Sequence, residues 1–429
     1  MFYYGIMENA NNITTNTYAA SDFELMSPAG NFECLMAAIQ GGANAVYFGI
    51  EKLNMRSKSA NNFKLEQLAE IAEICKTHNI KSYLTLNVIM YDNDLEDMRK
   101  IVREVKRTGI SAIIASDQAV ISYARECDVE VHISTQLNIS NIEAVKFYAK
   151  YADVVVLARE LNLAQVAEIH RQICEQQIKG ASGNLIKIEM FAHGALCMSI
   201  SGKCYLSLHE YNYSANRGTC LQTCRRAYTV TDKETGAQLE IDNEYIMSPK
   251  DLCTIGFLDK MIDAGVSVFK IEGRARSAEY VKTVCRCYSQ AIKSIVDGNY
   301  TKEKIDAWTA ELGNVFNRGF WNGYYLGQRL GEWSKVYGNQ SPKRKEYVAK
   351  CTNFFGNLNV AEFLIEAGNL NVGDDIVIIG STTGVVEQTI NEIRVDLNPV
   401  ETAKKGVYCS MLTADKIRRG DKLYKIVEN

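Results

Sequence analysis

The chain has 429 residues, of which 47% are hydrophobic and 23% charged, with a formal net charge of −3. A chain of this size needs about two to three domains, and its composition excludes a disordered or fibrous protein. The small net charge gives no global field for nucleic acid, although a local basic patch would suffice to hold RNA.

Residues 1–20 begin apolar, lack a basic leader and turn Asn/Thr-rich, which reads as a flexible N-terminal tail and not a signal peptide. No later run approaches the ~20 apolar residues needed to span a bilayer, so no membrane contact and a cytoplasmic location are expected. From residue 22, short β-rich runs at 23–27, 45–49, 82–88, 111–115, 130–134, 153–158, 185–191 and 267–271 alternate with longer segments. The segments at 65–77, 95–108, 141–150 and 163–176 carry apolar residues at helical spacing. Eight strand–helix units predict a (β/α)8 TIM-like barrel over residues 21–340. A doubly wound sheet is less attractive, because no Gly-rich nucleotide turn accompanies the repeats.

The spacing breaks once, at 194–266, where a Cys-rich insertion leaves the C-terminal end of the seventh strand. A barrel of this kind keeps its chemistry at that end. Beyond a linker at 340–345, residues 341–429 show short alternating strands broken by Gly, Asn and Asp, which predicts a small antiparallel β-barrel. Within 401–425, Lys404, Lys405, Lys416, Arg418, Arg419, Lys422 and Lys425 face only Glu401, Asp415 and Asp421. That surplus reads either as a phosphate-contact surface or as a solvated face.

The 13 cysteines, without a signal peptide, read as reduced thiols or ligands and not as a disulfide frame. Cys197, Cys204, Cys220, Cys224 and Cys253 crowd into one region. Zinc ribbons bring ligands as paired close knuckles, and only Cys220 and Cys224 are spaced that way. A radical-SAM pattern fails because Ala227 stands where its third cysteine belongs. Wide, irregular spacing on a long insertion fits a [4Fe–4S] cluster better; buried apolar thiols are the bland alternative. Glu189 and His193 occupy alternate positions at the end of the seventh strand, which places them on one face, suited to acid–base work. Gln136 and Arg159, at other strand ends, complete the catalytic candidates, with Glu24, Asn87 and Glu272 in similar positions. Arg217, Arg225 and Arg226 bracket the thiols and suit a carboxylate or phosphate.

The segment EMFAHGALCMSISGKCYLS at 189–207 resembles the signature of the peptidase U32 family. SANRGTCLQTCRRAY, MSPKDLC and FKIEGRARSAEYV, with ELMSPAGN and ANAVYFG near the start, extend the resemblance over nearly the whole chain. The family name implies a collagenase-like peptidase, yet the chain has five His and no H-E-x-x-H helix. The resemblance instead implies an oxygen-independent hydroxylase with a [4Fe–4S] cluster on Cys197, Cys204, Cys220 and Cys253, leaving Cys224 spare. A C-terminal domain similar to that of tRNA-modifying members implies 5-hydroxyuridine synthesis at the tRNA wobble position, with prephenate donating the hydroxyl. Arg159, Arg274 and the arginines near the thiols would take the carboxylates of this dicarboxylate co-substrate. Tyr205, Tyr211 and Tyr213 are candidates to stack an anticodon base splayed out of the RNA. A peptidase, and a non-catalytic RNA-binding or assembly subunit with a structural cluster, are the alternative readings. A protein partner or homo-oligomer stays open.

Overall fold

In the computed structural model, which describes residues 18–58, 60–236, 238–239, 247–328, 331–334 and 338–429, eight parallel strands close on themselves. Seven follow in order: β1 (Glu24–Pro28), β2 (Ala45–Phe48), β3 (Lys81–Leu86), β4 (Ala112–Ala115), β5 (Glu130–Ile133), β6 (Val154–Val156) and β7 (Lys187–Gly194). Helices α1 (Phe32–Gln40), α2 (Leu68–Thr77), α3 (Leu95–Thr108), α4 (Gln118–Glu126), α5 (Ile142–Ala149) and α6 (Leu163–Glu175) alternate with them. The predicted TIM-like barrel is therefore present, with every predicted strand in place. The tail at 1–17 lies outside the described residues.

Local sequence explains the alternation. Asn31, Asp117, Asn141 and Asn162 each accept a backbone N–H at a helix start, which satisfies an otherwise orphaned donor. Gly109, at φ 78°, ends α3 in the left-handed conformation that side chains resist. The strands are buried on both faces, so they read as unbroken apolar runs. Met26, Ala45, Tyr47, Tyr83, Ala112, Ile114, Val154 and Val268 form a packed cluster of their own within the barrel. Glu24 opens β1 and sits at the opposite end from the barrel's mouth, bound to Lys81 at 2.8 Å and to the Tyr83 hydroxyl at 2.8 Å. Its place among the site candidates is thus corrected: it is a strand end, but the wrong one.

The excursion after β7 is more ordered than a simple insertion. It carries α7 (Leu206–Tyr211), a short ribbon of β8 (Val230–Thr231) and β9 (Gln238–Leu239), and then β10 (Asp251–Cys253). β7 overruns the barrel, and its last residues pair antiparallel with β10, Gly194 opposite Leu252 and His193 opposite Cys253. Helix α8 (Leu258–Asp263) then leads into β11 (Val266–Ile271), which pairs with both β7 and β1 and closes the barrel. Helices α9 (Ala278–Val296) and α10 (Lys302–Gly313) follow, and β12 (Phe320–Trp321) lies parallel to β10.

The C-terminal strands form an antiparallel sheet ordered 384–389, 375–380, 422–428, 343–355, 360–365, 408–412, 393–395 and 398–400, with a separate two-stranded ribbon. Its strands surround one hydrophobic core, including Ala349, Phe363, Ile378, Ile393 and Leu423. The sheet docks on the barrel: Gln40 donates to the Thr383 carbonyl at 2.9 Å and accepts from the Val385 N–H at 2.8 Å. Ion pairs Lys282–Glu387 at 3.1 Å and Lys345–Glu279 at 2.8 Å bind it to α9. No helix among the described residues is long and apolar enough to cross a membrane.

Candidate active site

The C-terminal ends of the barrel strands and the excursion enclose a cavity of about 190 Å³. Asn87, Gln136, Arg159 and Glu272 line it from the strand ends, and Cys197, Cys204, Cys220 and Cys224 from the excursion. Sequence position alone brought these residues into view, because a barrel displays its strand-end side chains at this face.

Seven cations line the cavity: Arg56, Arg159, Arg225, Lys270, Arg274, Arg276 and Arg318. Three are paired, Arg56 with Glu272 at 2.8 Å, Lys270 with Glu189 at 2.6 Å and Arg318 with Asp251 at 3.4 Å. The other four guanidinium groups have no carboxylate within ion-pair distance among the described residues. Arg274, fully enclosed, donates to Thr85 Oγ1 at 2.9 Å and Asn54 Oδ1 at 2.9 Å. Burial lowers its pKa to about 10, which still leaves it charged near neutrality. Arg159 lies over the Phe191 ring at 3.7 Å and reaches the Ala195 carbonyl, while its Nε has no partner among the described residues. Arg276 stacks on Phe316 at 3.5 Å. Arg225 braces the excursion through Ser248, the Pro249 carbonyl and the Leu196 carbonyl. Glu272 is the one carboxylate lining this cavity among the described residues. Burial would raise its pKa, but Arg56, Arg159 and Arg274 overcome that and bring it to about 2.

Glu189 and His193 do not share a face. Phe191 is opposite Lys270 and His193 opposite Ile271, so β7 carries one extra residue there, a β-bulge at Ala192. A bulge reverses the alternation beyond it. Glu189 therefore points into the barrel beneath the cavity, whereas His193 points out against α9. There the ring lies among Tyr280, Tyr288 and Phe320, with Nδ1 3.4 Å from the Tyr288 hydroxyl. Burial lowers its pKa to about 3, so the imidazole is neutral in ordinary buffers. This corrects the expectation that both residues face the mouth together.

The thiols divide in a way the spacing did not indicate. Cys224 shares the cavity wall with Cys197, Cys204 and Cys220, and burial, with those three neighbours adding to it, raises its thiol pKa to about 11. Cys253 does not line the cavity; it is buried on β10 beside the Tyr288 hydroxyl at 3.8 Å. As placed, no three His, Cys, Asp or Glu side chains among the described residues are close enough to bind one metal ion. The four cavity thiols nevertheless fit iron in kind, since soft thiolates are its ligands in clusters. Ligation would require the loop segments that carry them to draw together. Gly218, at φ +77°, brings one of these segments against the Asn54 carbonyl, where a Cβ would lie 2.1 Å away.

The remaining candidates lie outside the cavity. Arg217 binds Asp94 at 2.5 Å and stacks on Tyr91, and Arg226 is on the surface near Glu210 and Tyr211. Tyr205, Tyr211 and Tyr213 are all exposed on the excursion. Sequence reasoning missed Arg56, Lys270, Arg276 and Arg318. Lys270 had a signal, an ammonium next to the end of the mostly apolar strand VSVFKI; the arginines sit in loops, where charge is unremarked.

The model of peptidase family U32 matches residues 30–335. The chain belongs to the peptidase U32 family. A relative named collagenase, from Porphyromonas gingivalis, is 59% identical over 94% of this chain and 98% of its own length. The tRNA hydroxylation protein P1 of Bacillus subtilis is 31% identical over 92% of this chain and 94% of its own. The 23S rRNA 5-hydroxycytidine C2501 synthase of Escherichia coli is 32% identical over 87% of this chain but 56% of its own.

Proposed function

We propose that this U32 protein is an RNA hydroxylase that makes 5-hydroxyuridine at the tRNA wobble position, with prephenate as hydroxyl donor and a [4Fe–4S] cluster on the cavity thiols. The observation that carries the reading is the cavity itself, in which four guanidinium groups without carboxylate partners among the described residues share the lining with four thiols. A small dianion with two carboxylates suits such a site, because guanidinium forks bind carboxylates bidentately. Arg159 and Arg276, stacked on aromatic rings, would hold the anion without losing much side-chain freedom. A cluster at the thiols would supply single-electron transfer. Gln136 and Asn87, which hydrogen-bond one another at 3.3 Å, offer amide groups to a uracil edge. The names of the relatives from B. subtilis and E. coli favour RNA as the substrate. Such a substrate would make the protein cytoplasmic.

The exposed lysines and arginine of the C-terminal domain, Lys404, Lys405, Lys416, Arg419 and Lys422, would grip the RNA backbone. Arg418 and Lys425 are partly committed, to Thr383 at 3.1 Å and Asp374 at 2.7 Å.

A peptidase is the second reading, favoured by the name of the P. gingivalis relative. The cavity offers it little: its lining carboxylate is clamped by arginines, and its Cys204 and Cys224 thiols have raised pKa values where a nucleophile needs a lowered one. Nucleoside analysis of tRNA from a deletion strain separates the readings. Loss of 5-hydroxyuridine derivatives, restored by the wild-type chain but not by Arg159→Ala, supports the hydroxylase. Unchanged nucleosides, with collagen cleaved by the purified protein, would establish the peptidase.

A further inference from the structure

Beneath the arginines, Lys270 forms part of the cavity floor and is ion-paired to a carboxylate below it. Lys270 Nζ lies 2.6 Å from Glu189 Oε1, and both side chains are almost fully buried. Lys270 is the one primary amine among the described residues that line the cavity. Its nitrogen is held 4.7 Å from the centre of the Tyr47 ring and 5.7 Å from that of Phe191. Glu189 Oε2 has no hydrogen-bond partner among the described residues. A pair this deep is costly unless something is gained from it, because desolvation offsets most of the attraction between the charges. The barrel interior just below is filled with apolar and aromatic side chains, so a hydrophobic pair would have fitted.

We propose that Lys270 is a Schiff-base residue that captures the carbonyl of a small anionic keto acid, whose carboxylates are received by the unpaired arginines above it. The inference rests on the anionic co-substrate proposed above, but not on hydroxylation or on the cluster. Proton transfer from Lys270 to Glu189 across the existing 2.6 Å hydrogen bond leaves a neutral amine, the form that can act as a nucleophile. The amine nitrogen attacks the carbonyl carbon, a C–N bond forms, and the C=O electron pair moves to oxygen. That oxygen leaves as water, with Glu189 carrying the protons to it. Of the three ammonium hydrogens, two depart in the water and one stays on the iminium nitrogen. Nothing is oxidised or reduced, and the positive charge opposite Glu189 is preserved. The iminium is a stronger electron sink than the ketone it replaces. Arg274, tied to Thr85 and Asn54, and Arg159, over Phe191, fix the anion's carboxylates around the amine.

The test uses the full chain with prephenate and with 2-oxoglutarate, each in the presence of cyanoborohydride, and glutarate as the carbonyl-free control. Peptide mass analysis should find the reduced keto acid on Lys270, no adduct with glutarate, and loss of the adduct on adding excess glutarate. Lys270→Arg keeps the charge opposite Glu189 and should abolish the adduct. Glu189→Gln, which retains the lysine, should slow its formation roughly 10²-fold, the ordinary worth of a general acid–base group. Absence of a Lys270 adduct with both keto acids, or equal labelling of surface lysines, overturns the proposal. If tRNA hydroxylation still depends on prephenate in that case, only the Schiff base has failed. An adduct in a protein that leaves tRNA unchanged would spare the Schiff base and refute the hydroxylase.

Discussion

Glu272 stands alone among guanidinium groups, and its replacement by Gln tests the electrostatic account of the cavity. Its carboxyl has a pKa of about 2 in the folded chain against an ordinary 4.5. At roughly 1.36 kcal/mol per pKa unit, that difference is worth about 3 kcal/mol of stability at neutral pH. Because the folded value is depressed, the stabilisation is fully present above pH 4.5 and is lost as pH falls through about 2. Glu272→Gln should therefore unfold at lower urea at pH 7, by about 3 kcal/mol, and the deficit should shrink as pH falls below 4.5. The same change frees Arg56 from its 2.8 Å partner, so if prephenate is the co-substrate, as proposed, the variant should bind it more tightly than the wild type. Saturation at 100 times Kd adds about 2.7 kcal/mol and should bring the variant close to the stability of the ligand-free wild type. A variant as stable as the wild type at pH 7, or a deficit that does not shrink in acid, would refute this account of the cavity.

Three further outcomes follow from the placements described. Anaerobically reconstituted Cys224→Ala should lose most of its iron and sulfide while Cys253→Ala keeps them; the reverse pattern would put Cys253 in the ligand set and require β10 to shift. In the C-terminal domain, Lys416→Glu together with Arg419→Glu should weaken tRNA binding and lower the slope of log K against log salt by about 1.5 to 2; an unchanged slope would make these residues a solvated face. For His193, an unfolded chain takes up the ring proton at about pH 6.5 whereas the folded one resists until about 3, so stability falls with pH across that interval. His193→Gln should flatten the urea-midpoint profile there, by roughly 4 to 5 kcal/mol at its acid end; an unchanged profile would mean that the ring is not buried neutral.

The barrel was legible because its signal is repetitive: eight apolar runs, regularly alternating with helices except across 194–266 and each buried on both faces, leave few other solutions. The cavity wall was legible for a related reason, since Gln136, Arg159 and Glu272 occupy equivalent positions after the fifth, sixth and eighth strands of the barrel. Glu24 shows the limit of that argument. A polar residue beside an apolar run marks an end of a strand, but not which end. His193 shows another limit. Period-two alternation placed it with Glu189, and one extra residue at Ala192 turned it through the sheet to α9, a change that no hydrophobic pattern records.

The thiols carry the most consequential difference. Cys253 follows MSPKDL, and in the sequence it is one more cysteine after a long gap. In three dimensions it belongs to β10, whose pairing with the overrun of β7 commits its side chain to the packing around Tyr288. Cys224 lies on a short 3-10 turn, Thr223–Arg225, whose neighbour Arg225 anchors it to the Leu196 carbonyl and so beside Cys197. Long-range strand pairing removes one thiol from the cavity, and a side-chain strut delivers another. Both effects depend on contacts between residues far apart in the chain, so spacing could count the sulfurs but not choose among them. If iron follows Cys224, those contacts and not the cysteine intervals define the site.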